Sequence, residues 1–158
     1  MTEKNIFLNQ LFGLERKRVF VTGAVGQLGK VICQGFLDAG SFVIGTDIDV
    51  NKKEIIQNAN IKYYPMDVSD KRSVIALFDE LYNGQSSIDI LINNAGVSTF
   101  ESFEDRLEAS FDWVTNVNLK GSFFCIQEYF NHQKNQGRGN IVNISSIYGL
   151  VSPDPKIY

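Results

Sequence analysis

The chain has 158 residues, which suits one domain able to bury roughly 70% of the surface its unfolded form exposes. Hydrophobic residues make up 44% and charged residues 21%, and the net charge of -3 leaves no basic surface dense enough to follow a phosphate backbone, which excludes nucleic acid as an expected partner. The two cysteines show neither metal-ligand spacing nor a disulfide framework, the amino terminus has no signal-peptide core, and no apolar run approaches ~18 residues, so the expectation is a cytoplasmic chain without bound metal or membrane contact.

Residues 1–16 read as a lead-in, with Phe7, Leu8, Leu11, Phe12 and Leu14 expected over a sheet edge. A first strand is expected at 18–22 and a helix at 27–39, its apolar face formed by Leu28, Val31, Ile32 and Phe36, with Gly40 as the C-terminal cap. A second strand at 42–46 delivers Asp47. Asp49 or Asn51 is positioned to cap a short helix over 52–58. A third strand at 61–66 ends in Asp67-Val68. Ser69 then reads as the N-cap of a helix carrying Val74, Leu77, Phe78, Leu81 and Tyr82, which Gly84 stops. A fourth strand at 88–92 opens into Asn93-Asn94-Ala95-Gly96.

The alternation continues. Phe103, Leu107, Phe111 and Val114 form a helical stripe over 101–117, and a further helix is expected over 118–133. A polar turn at 135–139 leads to a fifth strand at 140–145, followed by a loop marked by Gly149, Pro153 and Pro155. Cys33 and Cys125 fall in apolar helical patterns and read as buried. His132 reads as a solvated residue near a helix end, and Trp113 as core or interface. Strict alternation of strand and helix implies parallel strands joined by right-handed crossovers, within a single domain over 1–158.

The stretch around which these elements are organised is Val19-Phe20-Val21-Thr22-Gly23-Ala24-Val25-Gly26-Gln27-Leu28-Gly29. A strand ends at Thr22 and a helix begins near Gln27. Gly23 suits a turn whose backbone angles a Cβ forbids. Gly26 allows a diphosphate to approach the main chain, and Gly29 allows close helix–sheet packing. The free N–H groups at Gln27 and Leu28 would face that anion, with the helix dipole behind them. Asp47 follows at the end of the second strand, roughly 20 residues further on, where an acidic residue meets a ribose hydroxyl. The plainer alternative is a βα turn that needs glycine for geometry alone.

Thr22-Gly23-x-x-Gly26-x-x-Gly29, Asp47, Asp67-Val68, Asn93-Asn94-Ala95-Gly96, Asn118 in Val117-Asn118-Leu119-Lys120-Gly121, and Asn143-Ile144-Ser145-Ser146 occur in an order and spacing that resemble the short-chain dehydrogenase/reductase family over nearly the whole chain. The resemblance implies a Rossmann-type α/β fold, a doubly wound parallel sheet of about five strands in the order 3-2-1-4-5. It implies NAD as cofactor, a small-molecule substrate, and a homo-oligomer in the complete form. Asp67 and Val68 would contact adenine. Asn94, Ala95 and Gly96 would line the ribose, with Asn94 tying the fourth strand to its neighbour. Asn118 would anchor a proton-relaying water, and Ser146 would hold the substrate oxygen. For several of these residues a purely structural role competes: Asp67 and Ser146 as caps, Asn93 and Asn94 as turn formers, Asn118 as a kink in its helix.

One departure concerns the glycines. The main branch spaces them TGxxxGxG, whereas TGxxGxxG is the spacing of the extended branch that acts on sugar nucleotides. The family's proton donor is a tyrosine followed four residues later by a lysine that lowers its pKa. Tyr158 stands near the family's spacing from Ser146, but the small residues that usually precede the tyrosine are absent and no lysine follows in the sequence. The expectation is therefore a chain incomplete at its C-terminus, inactive by itself, with Tyr158 a doubtful donor. In complete form it is read as an NAD-dependent oxidoreductase acting on an alcohol, a ketone or a sugar derivative. The alternatives are a sugar-nucleotide epimerase or dehydratase, and a nucleotide-binding module without catalysis.

Overall fold

The computed structural model describes residues 13–51, 55–84 and 87–151. Five strands, β1 (Arg18–Thr22), β2 (Phe42–Asp47), β3 (Ile61–Pro65), β4 (Ile90–Asn93) and β5 (Asn140–Asn143), form one parallel sheet in the order β3-β2-β1-β4-β5. Helices α1 (Gln27–Asp38), α2 (Lys71–Asn83), α3 (Glu108–Thr115) and α4 (Ser122–Gln133) cover it. A π-helical turn, Asn116–Gly121, joins α3 to α4, and a 3-10 turn, Ile147–Gly149, follows β5. Among the described residues no helix is long and apolar enough to cross a membrane.

Alternation along the central strands builds two cores, because successive side chains leave a strand on opposite faces. Phe20 and Leu91 point to one side and join Val74, Phe78 and Cys125 from α2 and α4. Val19, Val21, Ile90 and Ile92 point to the other and join Cys33 and Leu37 from α1, with Leu14 packed at the margin. Phe7, Leu8, Leu11 and Phe12 lie outside the described residues. Burial pushes the Cys33 and Cys125 thiols up to about 12, so both stay protonated at neutral pH.

Several local expectations need correction. The buried ridge of α1 is Gly29, Cys33 and Leu37, with Ile32 and Phe36 beside it, while Leu28 and Val31 are 52% and 69% exposed. Close approach at Gly29 centres the contact there and rotates Leu28 outward. Asp70, not Ser69, caps α2, accepting from the Arg72 N–H at 2.9 Å. Ser69 is already engaged, its N–H and hydroxyl both donating to Asp67 Oδ1. The stripe over 101–117 becomes helical only at Glu108, and Phe103, Leu107 and Phe111 are exposed. Before that point the Ser102 hydroxyl donates to Asp105, a local bond that competes with helix formation. In the short helix expected over 52–58, residues 52–54 lie outside the described set and 55–58 are not helical. His132 is no free surface residue. Its ring stacks on Tyr82 with centroids 4.4 Å apart, and Nε2 lies 3.4 Å from Asp79.

The amino-terminal edge of the sheet is tied by polar bonds. Asp89 accepts from the Arg18 N–H at 2.9 Å, and its carbonyl accepts from the Tyr129 hydroxyl at 3.0 Å. The Gln133 amide donates to the Ile88 carbonyl. These bonds fix β1 and β4 side by side; beyond their carboxyl ends the chain leaves to opposite faces of the sheet, at the point where strand order reverses. Open α/β sheets hold their ligands in the crevice at such a point.

Candidate nucleotide and active site

A cleft of about 600 Å³ opens at the carboxyl ends of β1, β2, β3 and β4. Every residue expected to bind the cofactor borders it: Gly23, Gly26, Gln27, Leu28 and Gly29 after β1; Asp47 at the end of β2; Asp67 and Val68 after β3; Asn94, Ala95 and Gly96 after β4.

The glycine loop is shaped by two close approaches. Gly23 has φ +64°, and a Cβ there would stand 2.9 Å from the Ala95 Cα. At Gly29 a Cβ would stand 2.1 Å from the Gly23 carbonyl oxygen, so α1 lies against its own incoming loop as only glycine permits. Gly26 is the N-cap and offers no side chain to the first turn, which also carries no acidic residue. The N–H groups of that turn are therefore open to an anion from the cleft.

Thr22 organises the junction of β1 and β4. Its hydroxyl oxygen accepts from the Asn94 and Ala95 N–H groups at 3.0 and 2.9 Å. The Asn94 amide donates to the Thr22 and Gly23 carbonyls at 2.9 and 3.2 Å, tying β4 to β1. The neighbouring Asn93 amide donates to Asn143 Oδ1 at 2.8 Å and links β4 to β5. Asp47 faces the glycine loop, where its Oδ2 accepts from the Val25 N–H at 3.1 Å. Asp67 accepts from Ser69 and leaves the capping of α2 to Asp70. Val68 is buried against the π-helical turn, where a Cβ on Gly121 would come within 2.8 Å of it.

Asn118 lies inside that π-helical turn. Its carboxamide grips Val97 twice, donating from Nδ2 to the carbonyl at 2.9 Å and accepting the N–H at Oδ1 at 2.8 Å. The side chain thus tethers the loop after Gly96, while the Asn118 carbonyl accepts from the Ser122 hydroxyl at 3.0 Å. Ser146 is exposed and does not border the cleft, although Ile144 does. Its Oγ accepts from the Tyr148 N–H at 3.1 Å and caps the 3-10 turn. Tyr158 lies outside the described residues. Among the described residues no group of three or more His, Cys, Asp or Glu is placed to hold a metal ion.

Sequence reasoning missed part of the cleft. Trp113, expected in a core or interface, borders it, as do Ile48, Met66 and Val117. Thr22 was visible as a β-branched hydroxyl residue at a strand end before glycine, a position that suits such a clamp. Trp113 had no comparable signal. The cleft as a whole combines apolar walls, a carboxylate held by the glycine loop, and the uncapped N–H groups of a helix start.

Comparison with known proteins agrees with this architecture. The family model described as short chain dehydrogenase matches residues 17–156. An acetoacetyl-CoA reductase from an Acinetobacter strain is 32% identical over 144 residues, covering 86% of this chain and 58% of the relative. The crystal structure of a short chain dehydrogenase from Leptospira borgpetersenii with bound NAD+ superposes with a TM-score of 0.86 at 34% identity, covering 91% of this chain and 57% of the other. A structure of ElxO with NADP bound superposes with a TM-score of 0.82 at 29% identity, covering 90% and 60%. The chain thus spans somewhat more than half the length of these proteins. With the glycine loop, the reversed strand order and the family match all in agreement, the chain belongs to the short-chain dehydrogenase family.

Proposed function

We propose that the protein is an oxidoreductase using NAD(H) rather than NADP(H), moving a hydride between the nicotinamide and the carbon of an alcohol or carbonyl compound. The observation that carries the cofactor choice is Asp47, whose carboxylate is oriented at the cleft by the Val25 N–H. A carboxylate there accepts from ribose hydroxyls and repels a 2′-phosphate, and no Arg or Lys occurs at 46–51 to offset that repulsion. The cradle fits the group: a side chain at Gly29 would collide with the loop, and Gly26 leaves the helix start bare.

On this reading Gly23, Gly26, Gln27, Leu28 and Gly29 hold the diphosphate, and Asp67 with Val68 meets the adenine. Asn94, Ala95 and Gly96 line a ribose. Bound NAD supplies the hydride acceptor. Ser146, at the carboxyl end of β5, orients the substrate oxygen by hydrogen bond; its hydroxyl proton remains available, because the Tyr148 contact uses the oxygen as acceptor. Asn118 anchors a proton-relaying water on this reading, and its carboxamide fixes the loop at Val97. Exposed Phe123 and Phe130 on α4 support assembly into a homo-oligomer.

The test is calorimetric titration with NAD+ and NADP+ at one ionic strength. NAD+ is expected to bind at least tenfold tighter, and Asp47→Ala to narrow the gap. Tighter binding of NADP+ by the unaltered chain would overturn the cofactor choice.

A further inference from the structure

Trp113 is the single tryptophan of the chain, and half of it, 49%, is exposed on α3. Other exposed rings nearby, Phe103, Phe111 and Phe123, do not border the cleft, but Trp113 does. Among the described residues its indole stacks on no other ring. One turn further along, Val117 also borders the cleft and packs on the core that holds Met66 and Val68. Another turn on, Gly121 lies directly against Val68. The helical path from Gly121 through Val117 to Trp113 therefore climbs from the floor of the cleft to its rim on the side of Val68. Val68 follows β3, the strand at the opposite edge of the sheet from β5.

We propose that Trp113 is a base-binding residue: its indole face lies against the adenine of the bound dinucleotide and closes the outer side of a slot whose inner side is Val68. The inference rests on the reading of the cleft as an adenine-dinucleotide site and adds the residue that covers the base. A half-exposed indole gains most from a flat aromatic partner, because stacking removes two apolar faces from water and adds favourable π contact. Alanine in place of a base-stacking aromatic typically weakens binding about tenfold or more.

Being the only tryptophan, Trp113 reports its own surroundings by fluorescence. AMP and ADP-ribose are expected to quench its emission, and nicotinamide mononucleotide to leave it unchanged. By calorimetry Trp113→Ala should weaken ADP-ribose about tenfold and leave nicotinamide mononucleotide affinity unaltered. Trp113→Phe should recover most of the loss. Circular dichroism establishes that each variant is folded. Quenching by nicotinamide mononucleotide but not AMP, or equal ADP-ribose affinity in a folded Trp113→Ala, would overturn the proposal while leaving the nucleotide site intact. Failure of the unaltered chain to bind NAD+ or ADP-ribose at all would instead overturn the reading of the cleft, and this inference with it.

Discussion

The segments that follow β1 and β4 and the segment that follows β5 leave the same edge of one sheet, yet they are held in different ways. The first two are clamped to each other. Thr22 receives two N–H groups from the Asn94 loop, Asn94 returns two bonds to the glycine turn, and Ala95 fills the space above Gly23. β5 and the chain after it are exposed among the described residues. Ile141, Val142 and Ile144 remain 40–45% accessible, and Ser146 makes a bond only to its own turn. Among the described residues β5 pairs on one side alone, with β4. On the proposed reading, the nucleotide half of the site is built before any ligand arrives. Among the described residues, the segment proposed to orient substrate has no comparable side-chain clamp.

The largest effect that would test this contrast is at Gly29. Gly29→Ala places a methyl group inside contact distance of the Gly23 carbonyl and should destabilise the chain by about 3 kcal/mol, with loss of dinucleotide binding. Urea denaturation measures it, and an unchanged midpoint would show that the loop has room to give. Thr22→Val comes next. It keeps the shape of a side chain that is 1% exposed but strands two N–H groups, and should cost about 2 kcal/mol. Dinucleotide affinity should fall in parallel, because Asn94 and Ala95 lose their register. The smallest effect is expected after β5. Ser146→Ala should leave stability within about 0.5 kcal/mol and NAD+ affinity unaltered. A loss there as large as that of Thr22→Val would erase the distinction between the two regions.

The sheet was legible because its signal is local and repeated. Val19, Phe20 and Val21 alternate between two cores, and a strand that alternates while apolar throughout must be covered on both faces. The glycine loop was legible because covalent geometry singles out Gly23 and Gly29 whatever surrounds them. Details that depend on competition between neighbours were not. Ser69 and Asp70 both suit an N-cap, and Asp67 decides between them by occupying Ser69. The α1 face was misjudged because a glycine, invisible to hydrophobic periodicity, forms its point of closest contact. His132 was misread because its partners, Tyr82 and Asp79, belong to a different helix.

A π-helical turn carries one residue more than the α turn it replaces, and each residue advances a helix by about 100°. Asn116–Gly121 therefore works as a phase shifter in an otherwise continuous helical path. Downstream, Cys125 and Tyr129 keep their bearing on the core; upstream, the bearing of Trp113 is set by the inserted residue. Removing one position within this turn and restoring α geometry would swing α3 through about a quarter of a revolution while leaving its composition unchanged. Substitution at any single site would not reproduce that rotation. In this segment the count of residues, rather than their identity, decides which side chain meets the cleft.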